Sequence, residues 1–207
     1  MNFGKFITYE GIDGSGKTTQ AKMLYEYLIG LGFDVILTRE PGGTRFAEAV
    51  RKILLSHNDF AISPKAELML YLAARAQLVD EVILPALKSG KWVISDRFFD
   101  SSVAYQGFAR GLDPEEVMKT CLFATGGLKP DLTFFLDVSP ETAAERMAKS
   151  GKKPDRLEAE SREFTEKVRA GYLWIAGREP ERFVIINGEG SIESVFERIK
   201  SRIKEII

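Results

Sequence analysis

The sequence is poor in the side chains that most metal, redox and nucleophilic centres need. Among its 207 residues stand one cysteine, Cys121, and one histidine, His57. A single cysteine excludes an internal disulfide. It lies in the apolar stretch MKTCLFATG, where a small core residue is expected. A single histidine excludes metal clusters built on several imidazoles. Neither sign of charge predominates: 29 Lys and Arg against 30 Asp and Glu leave a net charge of -1. Binding of nucleic acid over the whole surface is therefore not implied. No apolar run approaches the roughly 20 residues of a membrane helix. The N-terminus, MNFGKFITYE, lacks the apolar core and cleavage site of a signal peptide. A cytoplasmic protein without a membrane partner is expected. Internal repeats and low-complexity tracts are also missing. What is present is 44% hydrophobic residues, enough for one domain over 1–207 with a substantial core.

Short apolar runs alternate with longer helix-like segments. The expected strands are KFITYE, DVILTRE, KWVISD, LTFFLDV and RFVIIN, rich in β-branched and aromatic residues. Ile192, Val195, Phe196, Ile199 and Ile203 line one face of an expected final helix, with Ser191 as its N-cap. Pro140, after Ser139, fits the first position of another helix. A long helical segment runs from about Pro64 to Leu87, and Pro85 is expected to kink or end it. This alternation predicts an α/β fold with a parallel sheet covered on both faces. Ligands gather beyond the carboxyl ends of such strands.

The stretch EGIDGSGKTTQ follows the first strand and opens a helix. Gly11, Gly16, Lys17 and Thr18 fit the phosphate-loop pattern in its required context. Gly11, Ile12, Asp13, Gly14, Ser15, Gly16, Lys17, Thr18 and Thr19 are thus the expected ATP-binding residues. The glycines let backbone N–H groups turn toward phosphate oxygens, and the helix N-terminus adds its positive end. Lys17 should reach the β- and γ-phosphates, and Thr18 should hold Mg²⁺. Asp13 is the odd member, because a carboxylate repels a polyphosphate. Either it shapes the loop and faces solvent, or it faces a hydroxyl of a second substrate.

Two classes of function remain, a switch or motor NTPase and a kinase with a second anionic substrate. No guanine-reading N-K-x-D motif is present. Cations suited to an acceptor are. SDRFFDSS puts Asp96, for the Mg²⁺ shell, and Arg97 at the end of a strand. A guanidinium can grip phosphate bidentately. TREPGGTRFAEAVRKIL supplies Arg39, Arg45 and Arg51; on spacing alone, Arg51 could equally be a solvated surface residue. Tyr71 and Arg75 share one helix face in LMLYLAARAQ. Together they could stack on a base and bond its edge, although spacing alone favours a core tyrosine beside a surface arginine.

Taken in order, EGIDGSGKTT, TREPGGT, AARAQL, SDRFFDSSVAYQG, KPDLTFFLDVSPE and DRLEAES resemble the thymidylate kinase family over about residues 5–160. The resemblance implies the P-loop NTPase fold: a five-stranded parallel sheet flanked by helices, with a mobile lid. It implies γ-phosphoryl transfer from Mg²⁺-ATP to dTMP, giving dTDP, by a homodimer. Kinases of dUMP or UMP, and more remotely an ATPase switch, are the alternatives. Carried over residue by residue, Arg97 and Arg51 clamp the dTMP phosphate. Asp13 faces the 3′-hydroxyl. Tyr71 stacks on thymine, where relatives often carry Phe. Arg75 bonds the base edge, and Ser101 or Ser102 contacts it from the other side. Tyr105 packs near C2′ with Gln106 beside it, while Glu40 and Pro41 shape the wall.

The phosphate loop and acceptor phosphate need alignment and cations more than a base. Some relatives carry a catalytic arginine just after the loop aspartate; here that position is Gly14. Such sequences resemble the bacterial type, whose lid supplies the cation. The expected lid, about 147–157 within RMAKSGKKPDRLE, has cations at Lys149, Lys152, Lys153 and Arg156, with Arg146 just ahead. Many bacterial relatives place arginine immediately before the lid glycine, but Ser150 stands there. Arg156 with Lys152 or Lys153 is therefore the expected catalytic set, beside Lys17, Arg97 and Asp13.

Overall fold

In a computed structural model of the chain, described here for residues 3–57, 59–151 and 153–207, the five expected strands are all present. They are β1 (Phe6–Glu10), β2 (Val35–Arg39), β3 (Trp92–Asp96), β4 (Leu132–Asp137) and β5 (Phe183–Asn187). All pair in parallel, in the order β2-β3-β1-β4-β5. The described helices are α1 (Lys17–Gly30), α2 (Arg45–Leu55), α3 (Pro64–Leu78), α4 (Leu84–Lys88), α5 (Phe99–Ser102), α6 (Pro114–Ala124), α7 (Pro140–Ser150), α8 (Arg162–Arg178) and α9 (Ile192–Ile203).

The period of two along each strand divides the core into two layers. Phe6, Val93 and Phe135 point into a layer closed by α3, α6 and α8. Ile7, Ile94, Phe134 and Leu136 point the other way, against α1 and α9. Both faces being covered explains why the strands read as continuous apolar runs. Each large side chain so buried stabilises the fold by about 1.5–3 kcal/mol. Cys121 is fully buried, and burial pushes its thiol up to about 11, which suits a core residue rather than a nucleophile.

Helix starts follow their capping chemistry. Ser139 accepts from the Thr142 N–H at 3.1 Å, with Pro140 in the first turn, and Ser191 accepts from the Ser194 N–H at 3.2 Å. Around Pro85 the regular α geometry is interrupted. A π-helical turn, Val79–Ile83, joins α3 to α4, and the helical path ends at Lys88, close to the expected Leu87. The wider turn relieves the clash of the proline ring with the preceding carbonyls. Ile192 departs from expectation, being 51% exposed while Val195, Phe196, Ile199 and Ile203 are buried. Its carbonyl instead accepts from Gln20 Nε2 at 2.9 Å, tying α9 to α1. Among the described residues, no helix is long and apolar enough to cross a membrane.

Candidate active site

The carboxyl ends of β1, β2 and β3 open into one cleft of 690 Å³. Its floor is the turn between β1 and α1. Gly11, Gly14 and Gly16 hold φ values of 145°, 84° and 96°, which disfavour any side chain. At Gly14 a Cβ would meet the Ala143 carbonyl at 2.4 Å, whereas at Gly16 the space is open. Gly16 is the N-cap of α1 and offers no side-chain cap. The first N–H groups of α1 are therefore left for an anion. Lys17, 6% exposed, donates to the Ile12 carbonyl at 2.9 Å. Burial and the nearby Arg97 lower its ammonium to about 8, against the pull of Asp13, Asp96 and Glu10.

β3 brings the next groups. Thr18 Oγ1 donates to Asp96 Oδ2, so a hydroxyl and a carboxylate meet beside the loop. Arg97 follows with φ 76°, a left-handed conformation rare outside glycine. That turn aims the guanidinium back across β1. It donates to Asp13, to the Gly11 carbonyl at 3.0 Å, to Tyr105 Oη at 3.2 Å, and to Ser101 Oγ and Tyr172 Oη at 3.3 Å each. Burial pushes the Asp13 carboxyl up, but Arg97 and Lys17 outweigh it and hold the group at about 2. Behind Arg97, Glu10 is fully buried. It accepts from the Phe98 N–H at 2.7 Å, Ser101 Oγ at 2.6 Å and Tyr172 Oη at 2.8 Å. Burial, aided by Asp100, pushes it up to about 7.

β2 and α3 form the opposite wall. Arg51 Nη1 donates to the Pro41 carbonyl at 2.8 Å. Glu40 accepts from Arg75 Nε at 2.7 Å, both being buried. Arg75 also donates to Ser102 Oγ at 3.1 Å and the Phe98 carbonyl at 3.2 Å. The cleft lining includes Asp13, Gly14 to Thr19, Glu40, Pro41, Arg51, Tyr71, Asp96, Arg97, Ser101, Ser102, Tyr105 and Gln106. The sequence thus picks out most of this surface.

Some expected residues sit elsewhere. Gly11 and Ile12 lie behind the loop, outside the lining. Arg75 is beneath the wall, 1% exposed, rather than on it. Arg156 turns away from the phosphate loop; its Nη2 donates to Glu67 Oε2 at 2.6 Å and its Nε to the Leu54 carbonyl at 2.8 Å. Lys153 is exposed and outside the lining. Lys152 lies outside the described residues. Residues without a motif also reach the cleft. Arg146 and Met147 of α7, Gly188 and Gly190 after β5, and Ile192 line its far end, where Arg146 Nη2 donates to the Gly188 carbonyl at 3.0 Å. Only the cationic run around the lid hinted at Arg146.

The sequence model of the family described as thymidylate kinase matches residues 9–199. The chain belongs to the thymidylate kinase family. The thymidylate kinase of Caldanaerobacter subterraneus is 50% identical to it over 204 residues, covering 99% of this chain and 97% of the relative. That of Kosmotoga olearia is 48% identical over 194 residues, covering 94% and 92%. The crystal structure of thymidylate kinase from Ehrlichia chaffeensis superposes with a TM-score of 0.77 at 34% identity, covering 97% of this chain and 99% of that one. As a member of this family the chain is a nucleoside monophosphate kinase that phosphorylates dTMP to dTDP with ATP. The five-stranded parallel sheet is the fold of that structural relative.

Proposed function

We propose that the cleft holds the two substrates end to end, ATP at the phosphate loop and dTMP against the β2 and α3 wall. The observation that carries this assignment is the continuity of the cleft. One space joins the loop of Lys17 to a wall with Arg51, Tyr71 and Ser101, and Asp13, Arg97 and Tyr105 meet at the junction. Lys17 and the N–H groups of α1 bind the transferring phosphates. Arg97 and Arg51 orient the acceptor phosphate. Tyr71 stacks on the base, with Ser101, Ser102 and Gln106 around its edge. Arg75 acts from beneath, by holding Glu40 and Ser102. Asp13 and Tyr105 take the sugar.

A hydroxyl and a carboxylate in contact suit a hard divalent cation that keeps most of its other positions for phosphate and water. Thr18 and Asp96 would hold Mg²⁺ there, and the ion when bound neutralises charge on the β- and γ-oxygens. Residues 147–157 are the proposed lid, with Arg146 at the nucleoside end of ATP and Lys153 as a lid cation. Arg156 anchors the lid rather than reaching the phosphates. The exposed apolar residues Phe46, Ala49 and Ile53 of α2 and Ala66, Met69 and Ala73 of α3 lie on neighbouring helices. They support a homodimer built across that face. A cytoplasmic enzyme acting on free nucleotides, without nucleic acid or membrane, completes the assignment.

The test is ADP formation with Mg²⁺-ATP against dTMP, dUMP, dCMP, UMP, GMP and AMP, with products identified by chromatography. Preferred turnover of dTMP to dTDP is expected. The thymine methyl is an apolar increment, so selectivity over dUMP should fall within about 10–200-fold. Equal ADP release without any acceptor would overturn the two-substrate cleft.

A further inference from the structure

One buried carboxylate beside the cleft takes no part in this scheme. Glu67, in the first turn of α3, is 0% exposed. Its Oε1 accepts from Gln106 Nε2 at 2.8 Å and Arg110 Nε at 3.2 Å. Its Oε2 accepts from Arg156 Nη2 at 2.6 Å and Arg110 Nη2 at 3.4 Å. A carboxylate has about four lone-pair sites, and these donors use them. Burial pushes Glu67 up, yet Gln106, Arg156 and Arg110 outweigh it and hold the group below its ordinary value. Arg110 reaches on to Glu160 at 2.6 Å. The Arg156 N–H also donates to the Leu55 carbonyl of α2 at 3.2 Å. Arg156 lies at the C-terminal end of the proposed lid and Glu160 just beyond it. Both are thus tied, through charges of alternating sign, to the carboxylate that Gln106 touches. Gln106 itself lines the cleft.

We propose that Glu67 is a positioning residue that docks the arm 155–160 onto the body and couples that docking to acceptor occupancy through Gln106. The inference rests on the assignment of the Gln106 side of the cleft to dTMP. A ligand shifts a two-state element only if it binds one state better. With the arm docked, Glu67 is saturated and the Gln106 amide has a fixed partner. With the arm released, Glu67 Oε2 loses Arg156, so the carboxylate is held less firmly and the Gln106 amide bonded to its Oε1 loses its fixed orientation. An acceptor that needs Gln106 in one orientation therefore binds the docked state better, because that ordering has already been done. By reciprocity it stabilises the arm, with a coupling in the usual range of about 5–150-fold.

The test is amide hydrogen exchange of the full chain, with dTMP added and ATP absent, alongside calorimetric binding of dTMP. The Arg156 amide, bonded across to α2, is the main reporter. In the unsubstituted protein dTMP should slow its exchange about 5-fold or more. In Glu67→Gln the arm should exchange fast, and the slowing by dTMP should vanish. Glu160→Gln removes only the outer link and leaves the buried cluster in place. It should speed exchange at 157–160 without changing α3, and it decides the matter if Glu67→Gln does not fold. A merely structural Glu67 would lower Tm in Glu67→Gln yet keep the slowing by dTMP; that result overturns the proposal, as does an arm in Glu160→Gln that exchanges like the unsubstituted one. Binding of dTMP without arm protection sinks the coupling and leaves the substrate assignment standing. Failure of dTMP to bind sinks both.

Discussion

Arg75→Met replaces a buried guanidinium by an apolar chain that fills only the space of its stem. It strips Glu40 of its counter-charge, and Ser102 and the Phe98 carbonyl of a donor. Among the described residues, Glu40 Oε1 already has no hydrogen-bond partner. The side chains of the pair are 1% and 4% exposed, so solvent does little to soften the loss. Breaking one side of a buried pair costs about 3–5 kcal/mol. For a chain of this length each kcal/mol moves Tm by about 2–4 °C, which places the expected fall at about 6–20 °C.

The sign of the pH dependence follows from Glu40. Burial pushes it from 4.5 up to about 7, even with Arg75 drawing it down. A raised carboxyl pKa leaves the fold unpenalised below 4.5 and increasingly penalised as pH climbs toward the folded value. Without Arg75 the folded value rises further, so the penalty keeps growing above pH 7. The Glu40 share of the cost should therefore be near zero at pH 5.5 and largest at pH 8. Glu40→Met combined with Arg75→Met removes both charges, and such exchanges are often neutral; the double variant should recover at least half the loss. Thermal unfolding of the unsubstituted protein, Arg75→Met and the double variant at pH 5.5, 7 and 8 measures all of this. A loss below about 1 kcal/mol at pH 8, or a double variant no more stable than Arg75→Met, would refute the reasoning.

Thr18→Ala and Asp96→Asn should each raise the Mg²⁺ needed for half-maximal ADP formation by at least about 10–100-fold, the cost of losing even an outer partner of a metal; an unchanged Mg²⁺ titration would remove them from the metal site. Asp13 sits at about 2 against an ordinary 3.8, so its pairing contributes fully above pH 3.8 and is lost as pH falls toward 2. With 29% of the side chain exposed, that contribution is about 1–2 kcal/mol. Urea unfolding between pH 2 and 5 should show a shallower decline for Asp13→Asn, and parallel curves would contradict the pairing. Tyr105→Phe removes a hydroxyl bonded to Arg97 and Asp13 at 3.2 Å each. Bonds to charged groups of this kind are worth about 1.5–3 kcal/mol, so kcat/KM for dTMP should drop about 10–100-fold, and a drop under 2-fold would exclude Tyr105 from the sugar contact.

The strands, the phosphate loop and the helix caps were legible because each rests on neighbours in sequence. Ser139 caps a helix through Thr142, three residues on, and the loop glycines answer to their own φ angles. What stayed hidden depends on distant partners. Tyr172 and Glu10 are 162 residues apart, and no periodicity links them. On spacing Arg75 reads as a surface arginine beside a core tyrosine, yet Glu40 and Ser102 draw it inward. Arg156 reads as a free cation in a basic turn, yet Glu67, 89 residues away, claims its guanidinium. Pro85 was legible only in part: it marks a disturbed helix, but not the π turn at Val79–Ile83 that carries the path on to Lys88.

Arginines were the visible part of this site, and of its buried glutamates only Glu40 was singled out. Glu10 and Glu67 resemble any of the 30 acidic residues in the chain, but all three glutamates are almost wholly buried. Each also fixes an arginine beside the cleft, directly or through Ser101 and Tyr172. That arrangement has a consequence for the proposed acceptor site. Arg97 already pairs with Asp13, so an arriving phosphate must share or displace that bond. The exchange is inexpensive because the Gly11 carbonyl, Ser101, Tyr105 and Tyr172 keep the guanidinium in place whichever anion it faces. Little side-chain entropy remains to be lost on binding. A flexible surface arginine of equal charge would attract dTMP as well from a distance but would hold its phosphate in no single direction, and phosphoryl transfer depends on that direction.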